Sequence, residues 1–259
     1  MTSESAQAVD WQGRAFDCQG CADEAKPAGR CTLMQACVRD RYAKRIDRFF
    51  SWNPGLAKDY LDHPYFEVRA CAVRHTDVFH LPSMMDDPDE TVRWSTAQRL
   101  TRRYLLRMIH DPHREVRIRV ASRLQDRDLG LMIADSDYYV RLVVARQLPI
   151  SLLPLMMSDE DTEVRRTVAI RIAREWLGRM LLDADPMVRL AVVERLSGVD
   201  LLPLTRDTDW RIRYEVAARG NRDAMLHLVD DDDAEVRQLA RERLQDYAPV
   251  QLSQYRGKR

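Results

Sequence analysis

A pair of residues, valine followed by arginine, recurs every 24 residues along most of the chain. The first position of the pair, called slot 0 here, is valine in seven cases and isoleucine in one, and slot +1 is always arginine. A constant period of this length predicts a solenoid, in which each repeat buries its apolar side against its neighbours. The eight pairs are Val68-Arg69, Val92-Arg93, Val116-Arg117, Val140-Arg141, Val164-Arg165, Val188-Arg189, Ile212-Arg213 and Val236-Arg237.

Apolar residues also recur at slots +4, +5 and +8 of each period. Together with slot 0 they form one stripe of an amphipathic helix of about three turns. A second apolar pair follows at slots +13 and +16. The segment that contains it spans about six residues and often carries proline, as at Pro82, Pro154 and Pro203. So short a segment predicts a 3₁₀ turn or a single helical turn. The pattern therefore predicts an all-α protein.

Aspartate marks the start of most of the predicted helices. It is common at slot −3, where it is a good N-cap, and at slot −5. The slot +1 arginines lie inside the apolar arc, so we expect the slot −5 aspartates to bind them in a structural ladder, because unpaired buried charge is costly. The alternative is a row of arginines that binds an acidic ligand. The ladder arginines are Arg69, Arg93, Arg117, Arg141, Arg165, Arg189, Arg213 and Arg237.

Arginine also recurs at slot +7, at the edge of the apolar arc, where we expect it to be more exposed. If the chain has a basic stripe, this is its place. The chain contains 41 lysines and arginines and 41 aspartates and glutamates. This balance argues against a general nucleic-acid coat, which needs a basic excess. The slot +7 arginines are Arg99, Arg123, Arg171, Arg195, Arg219 and Arg243.

Four of the five cysteines are clustered, in the order Cys18-x2-Cys21-x9-Cys31-x5-Cys37. We expect a cytoplasmic chain with no signal peptide and no membrane span, in which such thiols bind metal rather than form disulfides. Their spacing leaves an iron–sulfur cluster and a structural zinc both open. The fifth, Cys71, stands apart in the first repeat and is interpreted as a bystander.

The cysteine segment is followed by repeats of the form D-x-D-x-x-V-R-x-x-V-A-x-x-L…L-x-x-M. This combination resembles the leucine-rich repeat variant proteins with an N-terminal iron–sulfur domain, and the resemblance extends from about Cys18 to Leu252. It implies a 4Fe–4S cluster bound by Cys18, Cys21, Cys31 and Cys37. It also implies a right-handed superhelical solenoid of alternating α- and 3₁₀-helices.

Three regions follow from the pattern and the resemblance. Residues 1–55 form a four-cysteine iron–sulfur domain with a helix that caps the array, residues 56–252 form eight repeats, and residues 253–259 are a basic tail.

The family carries no established activity, so we consider three functions. The first is a repeat scaffold that binds a protein partner, with a structural or oxidation-sensing cluster. The second is an electron-transfer partner of a redox enzyme. The third is nucleic-acid binding through the slot +7 arginines. We expect no enzyme, because the sequence shows no glycine-rich phosphate loop and no nucleophile elbow, and its six histidines are scattered.

Overall fold

The computed structural model describes residues 7–19, 21 and 30–246. The chain divides into two compact units, Met1–Met132 and Ile133–Arg259. The predicted tail at 253–259, and the second segment of the last repeat with Pro249 and Leu252, lie outside the described residues. No helix in the described part of the chain is long and apolar enough to cross a membrane.

The first unit contains α-helices and 3₁₀-helices, and the 3₁₀-helices are labelled η. They are α1 (Ala43–Trp52), η1 (Pro54–Tyr60), α2 (Phe66–His75), η2 (Leu81–Met84), α3 (Glu90–Ala97), α4 (Arg102–Leu105), α5 (Arg114–Arg123) and η3 (Asp126–Met132).

The second unit continues the same order. Its elements are α6 (Tyr138–Gln147), η4 (Ile150–Met156), α7 (Thr162–Arg171), α8 (Arg174–Leu177), η5 (Gly178–Met180), α9 (Pro186–Val193), η6 (Val199–Arg206), α10 (Trp210–Arg219), α11 (Arg222–Leu228) and α12 (Ala234–Asp246). The second segment of each repeat is thus a 3₁₀-helix or a short α-helix, as the sequence predicts. Pro154 and Pro203 lie inside η4 and η6, where proline has no backbone N–H to donate to a helical hydrogen bond.

The core of each unit is filled by the predicted apolar slots. All eight slot 0 side chains are inaccessible to solvent, and the leucines and methionines at slots +13 and +16 are buried beside them, as Leu153 and Met156 show. Each valine or leucine buried in this way stabilises the fold by about 1.5–3 kcal/mol. Consecutive α-helices pack on one another within a unit, α2 on α3 and α6 on α7.

Aspartate at slot −3 begins the α-helices, as predicted. The Asp161 carboxylate accepts hydrogen bonds from the backbone N–H groups of Glu163 and Val164, at 2.9 and 3.1 Å. Asp89, Asp137, Asp185, Asp209 and Asp233 also accept N–H groups of the first helical turn. These bonds satisfy donors that have no partner within the helix.

Within each unit, slot +1 arginines connect a repeat to the next. The Arg165 guanidinium donates from Nε and Nη2 to the two carboxylate oxygens of Asp183, at 2.8 and 3.0 Å, and from Nη1 to the Asp159 carbonyl at 2.9 Å. One guanidinium therefore joins the turn of its own repeat to the turn of the following repeat. The six pairs with this geometry are Arg69–Asp87, Arg93–Asp111, Arg141–Asp159, Arg165–Asp183, Arg189–Asp207 and Arg213–Asp231.

The slot −5 aspartate also accepts several hydrogen bonds. Asp183 also accepts the backbone N–H of Asp185 at 2.9 Å, and its own carbonyl accepts from Arg189 at 2.8 Å. Burial raises the pKa of the Asp183 carboxyl, but the hydrogen bonds from Arg165 and from the Asp185 N–H outweigh it and hold the pKa below its usual value. The aspartate therefore stays ionised, and each of the three nitrogens of its partner Arg165 donates a hydrogen bond.

The slot +7 arginines are not the exposed stripe that their position on the helix predicts. The Arg99 guanidinium donates to the carbonyls of Val73 and Thr76, both at 2.6 Å, at the C-terminal end of the preceding helix α2. Helix C-termini leave carbonyls without donors and favour a cation. Arg123, Arg171, Arg195 and Arg243 reach preceding helices in the same way, whereas the exposed Arg219 pairs with Glu215 of its own helix. Most of this set is thus half-buried and structural.

The ladder predicts a large stability loss when one member is removed. Arg141 and Asp159 are each only 6% exposed, and Arg141 also binds Glu160. Replacing Arg141 with alanine leaves a buried carboxylate without its cation, so we expect the free energy of unfolding to fall by about 3–5 kcal/mol in urea titrations.

Arg166 provides the matched control. It lies next to a ladder arginine but is 39% exposed, and its Glu163 partner is 3.6 Å away. Arg166→Ala should change the free energy of unfolding by no more than about 0.5 kcal/mol. Equal effects of the two substitutions would contradict the structural role of the ladder.

Candidate metal centre

The segment that leads to Cys18 is fixed by a small turn. Val9 and Ala15 form an antiparallel bridge, and the buried Asp10 carboxylate inside it accepts the backbone N–H groups of Gln12 and Arg14, both at 2.9 Å. Trp11 in this turn stacks on Tyr65, with ring centroids 5.5 Å apart. The turn is therefore attached to the start of the first repeat.

A closed loop brings Cys31 and Cys37 together. Thr32 and Ala36 bridge each other with two hydrogen bonds of 2.9 Å, and Met34 between them adopts the left-handed conformation with φ of 60°. The two cysteines are the residues immediately outside this bridge, so they leave the loop side by side. The loop explains how two cysteines with five residues between them can bind one metal group.

Hydrogen bonds with α1 and with Asn53, the residue that follows it, hold this loop in place. The buried Asn53 donates from Nδ2 to the carbonyls of Arg30 and Phe49, both at 2.8 Å, so the chain entering Cys31 is fixed to the end of α1. The backbone N–H of Cys37 donates to the Arg45 carbonyl at 3.2 Å. The sequence analysis does not predict this role of Asn53, because its partners lie on a loop 23 residues away and at the end of α1.

An apolar cluster supports the loop from below. Ile46, Phe49 and Phe50 on the inner face of α1 are fully buried, and Cys31 packs against the same cluster. The two phenylalanine rings meet edge to face, with centroids 5.3 Å apart. The loop therefore packs against a rigid apolar surface.

The four clustered cysteines differ in solvent exposure. Cys18 is exposed, Cys21 and Cys31 are half-buried, and Cys37 is buried. Among the described residues, no three cysteine, histidine, aspartate or glutamate side chains converge on a single metal-ion position. A 4Fe–4S cluster binds one cysteine at each of four irons and does not require such convergence. Four thiols on one short segment with an anchored loop fit this group.

Cys71 has a different environment. It is fully buried in α2 beside the apolar cluster, and its Sγ donates to the Ala43 carbonyl at 3.6 Å. Burial raises the pKa of the Cys71 thiol to about 12. Because thiolates rather than thiols bind metals, this environment supports its interpretation as a bystander.

Comparison with known proteins places the chain in a family. Residues 8–59 match the family model described as "LRV protein FeS4 cluster". A solved structure described as "a leucine-rich repeat variant with a novel repetitive protein structural motif" is 43% identical, with a TM-score of 0.81, and the match covers 88% of this chain and 99% of that one. The chain belongs to the leucine-rich repeat variant family. This confirms the all-α repeat solenoid predicted from the sequence.

A second relative matches part of the sequence of this leucine-rich repeat variant protein. It is the Rhodobacter capsulatus "Uncharacterized 27.7 kDa protein in nifB 3'region", which is 45% identical over 98 residues. That match covers 38% of this chain and 40% of the relative, so the chain spans about two fifths of the relative's length.

The family model identifies the cofactor as a 4Fe–4S cluster and decides against the zinc alternative. When bound, such a cluster can exchange single electrons. The assignment of Cys18, Cys21, Cys31 and Cys37 as its ligands stays a prediction. In it, the closed loop presents Cys31 and Cys37, and the segment after the Asp10 turn presents Cys18 and Cys21.

This ligand assignment is tested by removing one cysteine at a time. Cys37→Ala should abolish the brown colour of anaerobically purified protein, whereas Cys71→Ala should retain about four irons and four sulfides per chain. Iron and sulfide analysis with an absorption spectrum measures both. Loss of the cluster in Cys71→Ala with retention in Cys37→Ala would overturn the assignment.

Proposed function

We propose that this protein is a non-catalytic, cytoplasmic iron–sulfur scaffold whose repeats bind a protein partner, and whose cluster is structural or senses oxidation. The observation that carries the proposal is that exposed apolar side chains recur in, or just before, the second segments of both units, two at each of three slots. They occupy slots +10, +11 and +15 and are Val78, Ile150, Phe79, Val199, Leu131 and Leu155. Each is about half exposed or more. The core does not require apolar residues at these slots, and apolar side chains supply the centre of protein interfaces.

The charges of the repeats support binding by shape and apolar contact. Ladder arginines bind the aspartates of neighbouring repeats, and most slot +7 arginines bind helix carbonyls. The nucleic-acid alternative therefore loses the basic stripe on which it depended, because these guanidinium groups are already engaged within the fold.

Exposure of Cys18 favours the electron-transfer alternative. A cluster that binds the exposed Cys18 as well as the buried Cys37 would reach the protein surface on the Cys18 side. Anaerobic voltammetry separates the roles: a reversible reduction wave supports an electron carrier, whereas cluster loss on reduction supports a structural or sensing role.

Site-specific photo-crosslinking tests the scaffold function. A photoreactive amino acid placed at Leu155 or Val199 in the full chain, expressed in its native cells, should give a discrete protein adduct that mass spectrometry identifies. These side chains are 65% and 63% exposed, and such anchors dominate interfaces.

Arg146 is the matched control position. It is exposed on α6, in the same repeat as Leu155 but away from the second segment. Adducts at the two second-segment positions and none at Arg146 are expected. Equal labelling at all three positions, or none anywhere, would contradict the proposed surface.

A further inference from the structure

The outer face of α1 carries two cations and a tryptophan, and a third cation lies just before the helix. Lys44, Arg48 and Trp52 are spaced by four residues, so they share one side of the helix, and Arg41 is the residue before its N-cap, Tyr42. All four side chains are exposed, and Trp52 is 41% accessible. We call the three cations the basic row.

Nearby carboxylates do not neutralise the basic row. Asp40 is buried and binds Arg45 at 2.9 Å. Asp47 is held by Arg74 and His75, at 3.4 and 3.0 Å. Within the described residues, neither Arg41, Lys44 nor Arg48 has an ion-pair partner. In the part of the chain that the structure describes, the row therefore presents positive charge that no carboxylate pairs.

Helix stability does not account for this placement. Lys44 lies in the first turn of α1, which contains no acidic residue, although the positive end of a helix dipole disfavours cations. Lys44 and Arg48 are also like charges four residues apart, an unfavourable spacing. The stability of α1 alone therefore does not explain where these cations lie.

The basic row borders the cysteine loop. Nη1 of Arg48 donates to the Gln35 carbonyl at 3.4 Å, and Gln35 lies between Cys31 and Cys37. Tyr42, 47% exposed, has the guanidinium groups of Arg41 and Arg45 each 4.8 Å from its ring centre. Cations, an aromatic ring and a tryptophan beside the metal-binding segment have the composition of an interface.

We infer that the basic row and Trp52 form a docking surface for an acidic protein, which would be held next to the iron–sulfur segment. This inference rests on the proposed function of partner binding and names the chemistry of the partner. The cations would steer and orient an acidic surface, and Trp52 would anchor it through apolar contact.

A charge-reversal experiment on the cluster-loaded full chain tests the inference. The probe is a fluorescein-labelled helical peptide rich in glutamate with two leucines, and its affinity is measured by fluorescence anisotropy at low salt. The triple substitution R41E/K44E/R48E should weaken binding at least about tenfold. Trp52→Ala should weaken it less, without changing the salt dependence that the cations produce.

Three other exposed arginines provide a control of equal charge. R103E/R107E/R127E changes the net charge by the same amount in the repeats, and should leave the affinity within about twofold. Equal losses in both triple variants would show that the peptide senses only net charge and would overturn the inference. Unchanged affinity with a weaker cluster absorbance in the first variant would also overturn it, because the row would then only balance the thiolates.

Two further measurements keep the result decisive. Far-ultraviolet circular dichroism checks that the first variant folds; if it does not, the single neutral changes Lys44→Ala and Arg48→Ala must each lower the affinity for the inference to stand. If peptide binding does not depend on the basic row but photo-crosslinks still form at Leu155, the docking surface is refuted and the scaffold function is not. Absence of those crosslinks would refute the scaffold function.

Discussion

The constraint on which the structure depends is that a buried guanidinium group must have its charge paired and each of its three nitrogens hydrogen-bonded. The slot +1 arginine meets this requirement with the carboxylate of the next repeat and a carbonyl of its own repeat, as Arg189 does with Asp207 and Asp183. Because both acceptors are slot −5 aspartates 24 residues apart, an inserted residue would break the pairing. The strict period of the sequence is therefore a geometric requirement of these hydrogen bonds rather than of the apolar core, which tolerates volume-conserving changes.

The ladder changes at the first repeat, where the iron–sulfur segment begins. His63 stands at slot −5 instead of aspartate, and its Nδ1 takes over one role of the carboxylate by accepting the Tyr65 backbone N–H at 3.0 Å. Arg45, 18 residues earlier, has the spacing of a ladder arginine but binds Asp40. The histidine at slot −5 thus ends the arginine–aspartate ladder at the first repeat, whereas α1 still packs on α2 through the apolar cluster that supports the Cys31–Cys37 loop.

Much of the fold could be predicted from residue spacing alone. The buried slots, the aspartate caps and the short second segments follow from periodicity within one helix, because a helical wheel describes which side of its own axis a residue faces. The wheel does not show where the preceding helix ends. For this reason Arg99 looks exposed in the sequence, although it donates to the C-terminal carbonyls of α2. The site was predictable in its residue types but not in its supports, since Met34 and Asn53 act through backbone conformation and long-range contacts. A balanced total charge likewise concealed the basic row.

A double-mutant cycle on Arg165 and Asp183 measures the central interaction most directly. The free energies of unfolding of the wild type, Arg165→Ala, Asp183→Ala and the double variant give the coupling energy of the pair. The account predicts a coupling of about 2–3 kcal/mol, because removal of either partner leaves the other buried and unpaired. A coupling below about 0.5 kcal/mol would show that the pair is solvated and that another force sets the repeat.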